Sequence, residues 1–368
     1  MLRLTIGQLQ PGMVTARNLF SATGNLLLAQ NLTLDEALIS RLDMMGIDSI
    51  FVNHPCLEVE TPEIINEHTR VETIKLTHQA FEGFEQNRTL NLAGIRQMMK
   101  KVIEDVVDNR HALIHLTDIR AHGDYTFGHS INVCLLSVMM GVKIHLKEQE
   151  LSELAMGAIL HDLGMMLVPP DILQDPGPLS ADSWRLIQEH TETGFEILRK
   201  VGPIPLVSAH IAYQHHENFN GSGYTRGLSG EDIHLCARIV AVADLYDAIT
   251  SDRPYRKALP PHEAYEIMVA SRGAKLDPQL VDVFLENVAL YPLGATVLLD
   301  TGEVGVVVEV FPKLQSRPRV RIIVDRVGRP WRGQERVVDL TKDLTRYVVK
   351  VLRPEEIFAS SPRSVNRI

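Results

Sequence analysis

Cysteine is scarce in this chain: Cys56, Cys134 and Cys236 are the only three in 368 residues. They are widely separated, odd in number and form no Cys-x-x-Cys pair, which leaves no disulfide framework, fits a reducing compartment and makes each an expected core residue. An excess of positive charge is also missing. Lys and Arg total 37 against 46 Asp and Glu, a formal net charge of -9, so nothing draws the chain generally to polynucleotides or anionic lipid. A phosphate-bearing ligand would need local cations or metals, and that points to a small substrate. No apolar run reaches the roughly 18 residues of a membrane span, and Met1 to Leu9 carries no charged and then apolar leader. Cytoplasmic placement is the expectation. Internal repeats and low-complexity tracts are absent too. With 45% apolar and 23% charged residues, the length predicts two or three folded units with ample core.

Histidine, by contrast, is concentrated. Of 15 histidines, 12 lie between His111 and His262. The chain around them divides by texture. Residues 1–53 read as a small α/β module, with strands at Met13 to Ala16, Leu26 to Ala29 and Ser49 to Val52. A helix runs to Met45 from a Thr33-Leu-Asp-Glu36 capping box. Residues 54–115 carry helical spacing with mixed charge and read as connecting helices. Residues 116–290 form a succession of amphipathic helices. After Tyr291-Pro292 the period changes to two, with Val304, Val306 and Val308 alternating and Arg319 to Val324 following suit, so residues 291–368 form a β-rich tail. The fold class expected is mainly α, a multi-helix domain between two small modules.

The chemistry lies in the helices. Glu148 to His161 has a buried stripe of Leu151, Leu154, Ala155, Ala158 and Ile159, and it delivers His161-Asp162 just before Gly164. Successive helical side chains diverge by about 100°, so an adjacent His and Asp can address two neighbouring metal ions, with the carboxylate as bridge. His129 shares a face with Val133 and Leu136 in a helix from Phe127 to Val142. His190 shares one with Ile187, Gly194 and Ile197 in a helix from Ser180 to Val201. His215-His216 ends a helix begun after Pro205. Asp244 lies in the apolar run Ile239 to Asp247, where an unpartnered carboxylate would cost several kcal/mol. A single histidine of this kind is ordinarily a satisfied core residue. Six such positions, directed inward from five helices, reverse that expectation and predict a metal site. Imidazole with carboxylate suits Fe, Mn, Zn or Co rather than Ca or Mg.

The order His129, His161-Asp162, His190, His215-His216, Asp244, then the glycine-rich loop from His216 to Thr225 and Arg253-Pro-Tyr-Arg256, resembles the HD-GYP domain family over about half the chain. The first 53 residues also resemble a module often attached to such domains. The resemblance implies an HD-type metallophosphohydrolase that hydrolyses cyclic di-GMP to pGpG and/or GMP through a metal-bridging hydroxide. It implies two divalent transition-metal ions, Fe or Mn first and Zn, Co or Ni next, held by His129, His161, Asp162, His190, His215, His216 and Asp244. Asp162 and Asp247 would serve catalysis, Asp247 by orienting a ligand or the attacking water. Arg253 and Arg256 would grip phosphate, with Gly223 and Tyr224 at the nucleotide. Some members hold a third metal through a glutamate one turn before the first histidine. Tyr125 stands there and Asp124 is a poor substitute, so two metals are expected. The partners implied are cyclic di-GMP, a diguanylate cyclase or other signalling protein, and a second copy of the chain.

Two positions depart from the family pattern. Met165 follows Gly164 where a lysine usually reaches the substrate phosphate, and Gly223-Tyr224-Thr225 replaces Gly-Tyr-Pro, which should loosen the loop. A second reading is therefore a catalytically weak cyclic-dinucleotide receptor or scaffold. A third, either another HD-type phosphohydrolase, such as a nucleotidase, or a diiron oxygenase of related architecture, accounts less well for the second His pair, the glycine-rich loop and the Arg-Pro-Tyr-Arg element.

Overall fold

The computed structural model describes residues 2–21, 24–47, 49–53, 64–87, 89–110, 125–173, 177, 179–251, 258–352 and 356. Cys56, Asp124, Arg253 and Arg256, singled out above, lie outside them.

At the N-terminal end, β1 (Leu2–Thr5) pairs antiparallel with β4 (Ser49–Val52), while β2 (Leu19–Phe20) and β3 (Leu26–Leu28) form a hairpin. α1 (Glu36–Met44) closes over them, burying Leu42 with Leu4, Leu28, Leu34, Ile47 and Ile50. The cap differs from the expected one. Asp35 caps α1, its side chain accepting from the Leu38 amide at 2.7 Å. Thr33 is taken by a bridge to Val14, and the Met13 to Ala16 segment makes isolated bridges, to Thr33 and Val52, instead of a full strand.

The middle of the chain is helical: α2 (Glu67–Asn87), α3 (Leu92–Asp108), α4 (Tyr125–Lys143), α5 (Glu148–Leu160), a 3-10 turn (Leu163–Leu167), α6 (Pro170–Leu173), α7 (Ala181–Gln188), α8 (His190–Lys200), α9 (Leu206–Gln214), α10 (Leu235–Thr250), α11 (Pro261–Ala270) and α12 (Pro278–Leu285). One core runs through them, from Phe81 and Met98 to Ile131, Leu154, Ile211, Val242 and Phe284. Each fully buried side chain of this size contributes about 1.5–3 kcal/mol. α10 is the central rod, and Ala237, Ile239, Val240, Val242 and Ala243 are all fully buried, as its apolar run predicted. The helix expected from Ser180 to Val201 is in fact two, broken at Glu189, so that His190 opens α8. Among the described residues, no helix is long and apolar enough to cross a membrane.

The C-terminal sheet is antiparallel in the order β8-β7-β6-β5-β9, from β5 (Thr296–Leu299), β6 (Val304–Glu309), β7 (Arg319–Val324), β8 (Val337–Asp339) and β9 (Val348–Val351). β7 alternates as expected. β6 does not: Val304, Val306 and Val307 are all buried, because register shifts at Val304/Gly305 and Val307/Glu309 turn its two faces into separate apolar clusters. The buried Glu303 is held by Arg336 at 2.7 Å, Arg346 at 3.4 Å and Arg326 at 3.5 Å, which compensates its charge.

Candidate metal centre

Helix ends and one central helix bring the sequence-predicted donors together. His161 caps the C-terminus of α5, His215 that of α9, and His190 begins α8. His129 projects from the second turn of α4 and Asp244 from the middle of α10. Gly164 allows this convergence. A Cβ there would overlap the His190 carbonyl oxygen and the Gly194 amide, so only glycine lets the turn after Asp162 lie against α8.

The donors fall into two groups, Asp162 with His190, His215 and His216, and His129 with His161 and Asp244, each with candidate ligand atoms within 4.8 Å of one another. Asp162 addresses both. Its Oδ1 lies 3.3 Å from His190 Nε2 and 3.5 Å from His215 Nε2, while its Oδ2 lies 3.5 Å from His161 Nε2 and 3.7 Å from His129 Nε2. Asp244 also spans the groups, with Oδ1 at 3.1 Å from His129 Nε2 and Oδ2 at 4.0 Å from His216 Nδ1. Four imidazoles are buried; the two carboxylates and His216 are partly open.

The imidazoles are oriented from behind. His161 Nδ1 donates to the Ala158 carbonyl at 2.8 Å, His215 Nδ1 to that of Ala212 at 3.0 Å, and His190 Nδ1 to that of Ile187. A carbonyl only accepts, so these Nδ1 atoms carry hydrogen and the Nε2 atoms face the centre. His161 Nε2 is buried and, among the described residues, has no hydrogen-bond partner. That orphaned lone pair beside two carboxylates is what a bound cation would satisfy. The set of imidazole nitrogens and carboxylate oxygens fits divalent transition metals.

Asp247, the other expected catalytic acid, sits behind His129. It is 1% exposed. Its Oδ2 contacts His129 Nδ1 at 2.7 Å, and its Oδ1 accepts from Asn132 at 2.7 Å and from Ser251 at 3.1 Å. Burial opposes charge on His129, but hydrogen bonds to Asp244 and Asp247 outweigh it and raise the pKa to about 10. Burial moves His161 the other way, to about 4. Burial also works against ionisation of Asp162, yet the imidazoles of His161, His190 and His215 hold its carboxyl well below the usual range. A cation held by this group would therefore compete with a proton for His129 Nε2. Loading the metal-free protein near pH 7 is expected to release on the order of one proton per chain, and metal affinity is expected to rise with pH until His129 is fully deprotonated. An indicator dye in weak buffer measures the release; no release would remove His129 from the ligand set.

The loop after His216 is tied down at both ends. Glu217 is buried and accepts from the Arg226 amide at 2.7 Å and the Leu228 amide at 3.0 Å. Gly221 and Gly227 have φ of +82° and +68°, as expected of loop glycines. Gly223 is required for another reason: a Cβ there would overlap the Asn218 amide and the His216 carbonyl. The Tyr224 ring lies 4.9 Å from that of His216. Burial, reinforced by the Asp162 and Asp244 charges, raises the phenol pKa, so Tyr224 stays protonated. Thr225 was expected to loosen the loop, yet its hydroxyl pairs with that of Thr191 at 2.6 Å and fastens the loop to the first turn of α8. Met165 is half-buried in the 3-10 turn.

Sequence reasoning missed Asn132, Thr191, Glu217 and Ser251, which hold Asp247 and the loop. Three of them left a signal: Asn132 follows His129 by three positions on one helix face, and Thr191 and Glu217 adjoin the ligand candidates His190 and His216.

Comparison with known proteins agrees with this geometry. The HD domain family model matches residues 101–280, and that of a KOW domain associated with the HD domain matches residues 296–360. A Pseudomonas aeruginosa protein named a cyclic di-GMP phosphodiesterase is 34% identical over 242 residues, 66% of this chain and 58% of its own length. A Thermotoga maritima protein of the same name is 30% identical over 249 residues, 63% of this chain and 66% of its own. A Vibrio cholerae protein named a 3'3'-cGAMP-specific phosphodiesterase is 34% identical over 174 residues, 47% of this chain and 38% of its own. The chain therefore spans less than two thirds of the length of each of these relatives. With the HD domain model matched across its helices, its His and Asp donors in place and a KOW domain model matched behind it, the chain carries an HD domain and is similar to the HD-GYP group of that family.

Proposed function

We propose that this protein is a metal-dependent phosphodiesterase that hydrolyses cyclic di-GMP to pGpG and/or GMP. The observation that carries the reading is Asp162, a carboxylate with one oxygen on each of two histidine groups. His129, His161 and Asp244 would hold one divalent ion and His190, His215 and His216 the other, with Asp162 shared. Such ions, Fe or Mn by first choice, lower the pKa of a bound water and polarise phosphoryl oxygens when present.

The remaining work belongs to side chains. Asp247 holds the His129 ring with its Nε2 inward and makes Asp247 a positioning residue rather than a proton carrier at the substrate. Tyr224, protonated and beside His216, can donate a hydrogen bond to a phosphate oxygen or a ribose hydroxyl. Gly223 keeps the loop backbone close enough for that ring to reach the donors. Arg253 and Arg256 are proposed from the sequence motif as the phosphate clamp. The names of the relatives support a cyclic dinucleotide as substrate, and they include both cyclic di-GMP and 3'3'-cGAMP.

The second reading, a receptor that binds without turnover, draws on Met165, an apolar side chain where the family pattern places a phosphate-binding lysine. Anaerobically prepared, Fe- or Mn-loaded protein given cyclic di-GMP, cyclic di-AMP or 3'3'-cGAMP separates the two. Linear pGpG or GMP, formed fastest from cyclic di-GMP, is the expected result. Saturable binding without product would establish the receptor, and neither binding nor product would overturn both.

A further inference from the structure

α7 is an amphipathic helix that buries none of its residues, although it leads directly into His190. Its largest side chain, Trp184, is 48% exposed. An indole left this open forgoes one of the largest burial gains available to any side chain. Its position supplies a reason. The Trp184 ring stands edge-on to Tyr224, with centroids 6.4 Å apart and an interplanar angle of 78°. Tyr224 in turn lies 4.9 Å from His216. The series therefore runs outward from a metal-ligand candidate through a half-buried phenol to an exposed indole, on one side of the donor cluster.

We propose that Trp184 is a base-stacking wall of the substrate site, taking a purine of the cyclic dinucleotide whose phosphate sits at the Asp162 centre. This rests on the phosphodiesterase reading and adds to it the residue that recognises the nucleobase. A nucleobase presents an apolar π face that an indole can cover, while the phosphate needs the cations and donors farther in. Division of labour follows from the order of the rings: Tyr224 faces the polar centre and Trp184 faces solvent, where the base must leave the phosphate. Trp184 is thus a specificity residue and not part of the bond-breaking machinery.

The chain has two tryptophans, so Trp331→Phe leaves Trp184 as the sole indole emitter. In metal-loaded Trp331→Phe protein, cyclic di-GMP is expected to quench that emission saturably, whereas inorganic phosphate at matching concentrations is not. Trp184→Ala should bind cyclic di-GMP at least about 10-fold more weakly by equilibrium dialysis, the scale of losing one base–aromatic stack. Trp184→Phe should stay close to wild type, and the exposed position predicts unchanged metal content and melting temperature in both. If wild type binds the nucleotide while Trp184→Ala binds equally well and the indole does not respond, the stacking role is wrong and the phosphodiesterase reading stands. If wild type binds no cyclic dinucleotide, both fall together.

Discussion

Asp162→Ala is expected to lose both bound metal and turnover, with metal content falling from roughly two ions per chain to fewer than one and hydrolysis dropping by at least about 10²–10³-fold. The size of the effect follows from how the carboxylate is shared. His190 and His215 face its Oδ1 at 3.3 and 3.5 Å, and His161 and His129 face its Oδ2 at 3.5 and 3.7 Å. Removing it takes one negative ligand from each group at once. What remains at one group is three neutral imidazoles, His190, His215 and His216, which offset little of a divalent charge. Asp162→Asn separates charge from shape, because it fills the same volume and accepts through a single oxygen. It should behave like the alanine variant. Metal analysis by mass spectrometry beside a product assay reads both effects, and an Asp162→Asn protein with full metal and full turnover would rule out the shared-ligand assignment.

Much of this centre was legible in the sequence because its donors ride on strongly patterned helices. The Leu151, Leu154, Ala155, Ala158 stripe fixed which way α5 faced, and so where His161-Asp162 emerged. The apolar run around Asp244 required a partner for its carboxylate, and His129 at 3.1 Å is that partner. Local pattern failed where tertiary contact decides. Ile187, Gly194 and Ile197 continue one helical face across Glu189, so periodicity could not show the break that sets His190 at a helix start. Thr33 and Asp35 are both good caps, and only the bridge between Thr33 and Val14 leaves the role to Asp35. β1 went unseen because its partner, β4, is distant in sequence. The same limit applies to the loop. Replacing a proline by Thr225 removes a rigid φ, which sequence shows, but the bond from its hydroxyl to Thr191 belongs to the folded chain.

Asp247→Asn is expected to weaken metal binding by about 10–100-fold at the His129 group while leaving the His190, His215 and His216 group loaded, so that metal content falls by about one ion per chain. The reason is hydrogen-bond polarity. Asn132 and Ser251 both donate to Asp247 Oδ1, so an asparagine keeps its one oxygen toward them and turns its NH2 toward His129. A donor there requires His129 Nδ1 to accept, which moves the ring hydrogen to Nε2 and blocks the atom that faces the centre. Asp247→Ala reaches a similar loss by another route, since it frees the ring and strands Asn132 and Ser251. It should also cost about 1–3 kcal/mol of stability, whereas Asp247→Asn should fold nearly as well as wild type. Stepwise metal titration of the three proteins distinguishes the possibilities. Full metal content with turnover lost would mean that Asp247 acts on the reaction directly. Wild-type affinity and turnover in Asp247→Asn would mean that the carboxylate merely fills its pocket behind His129.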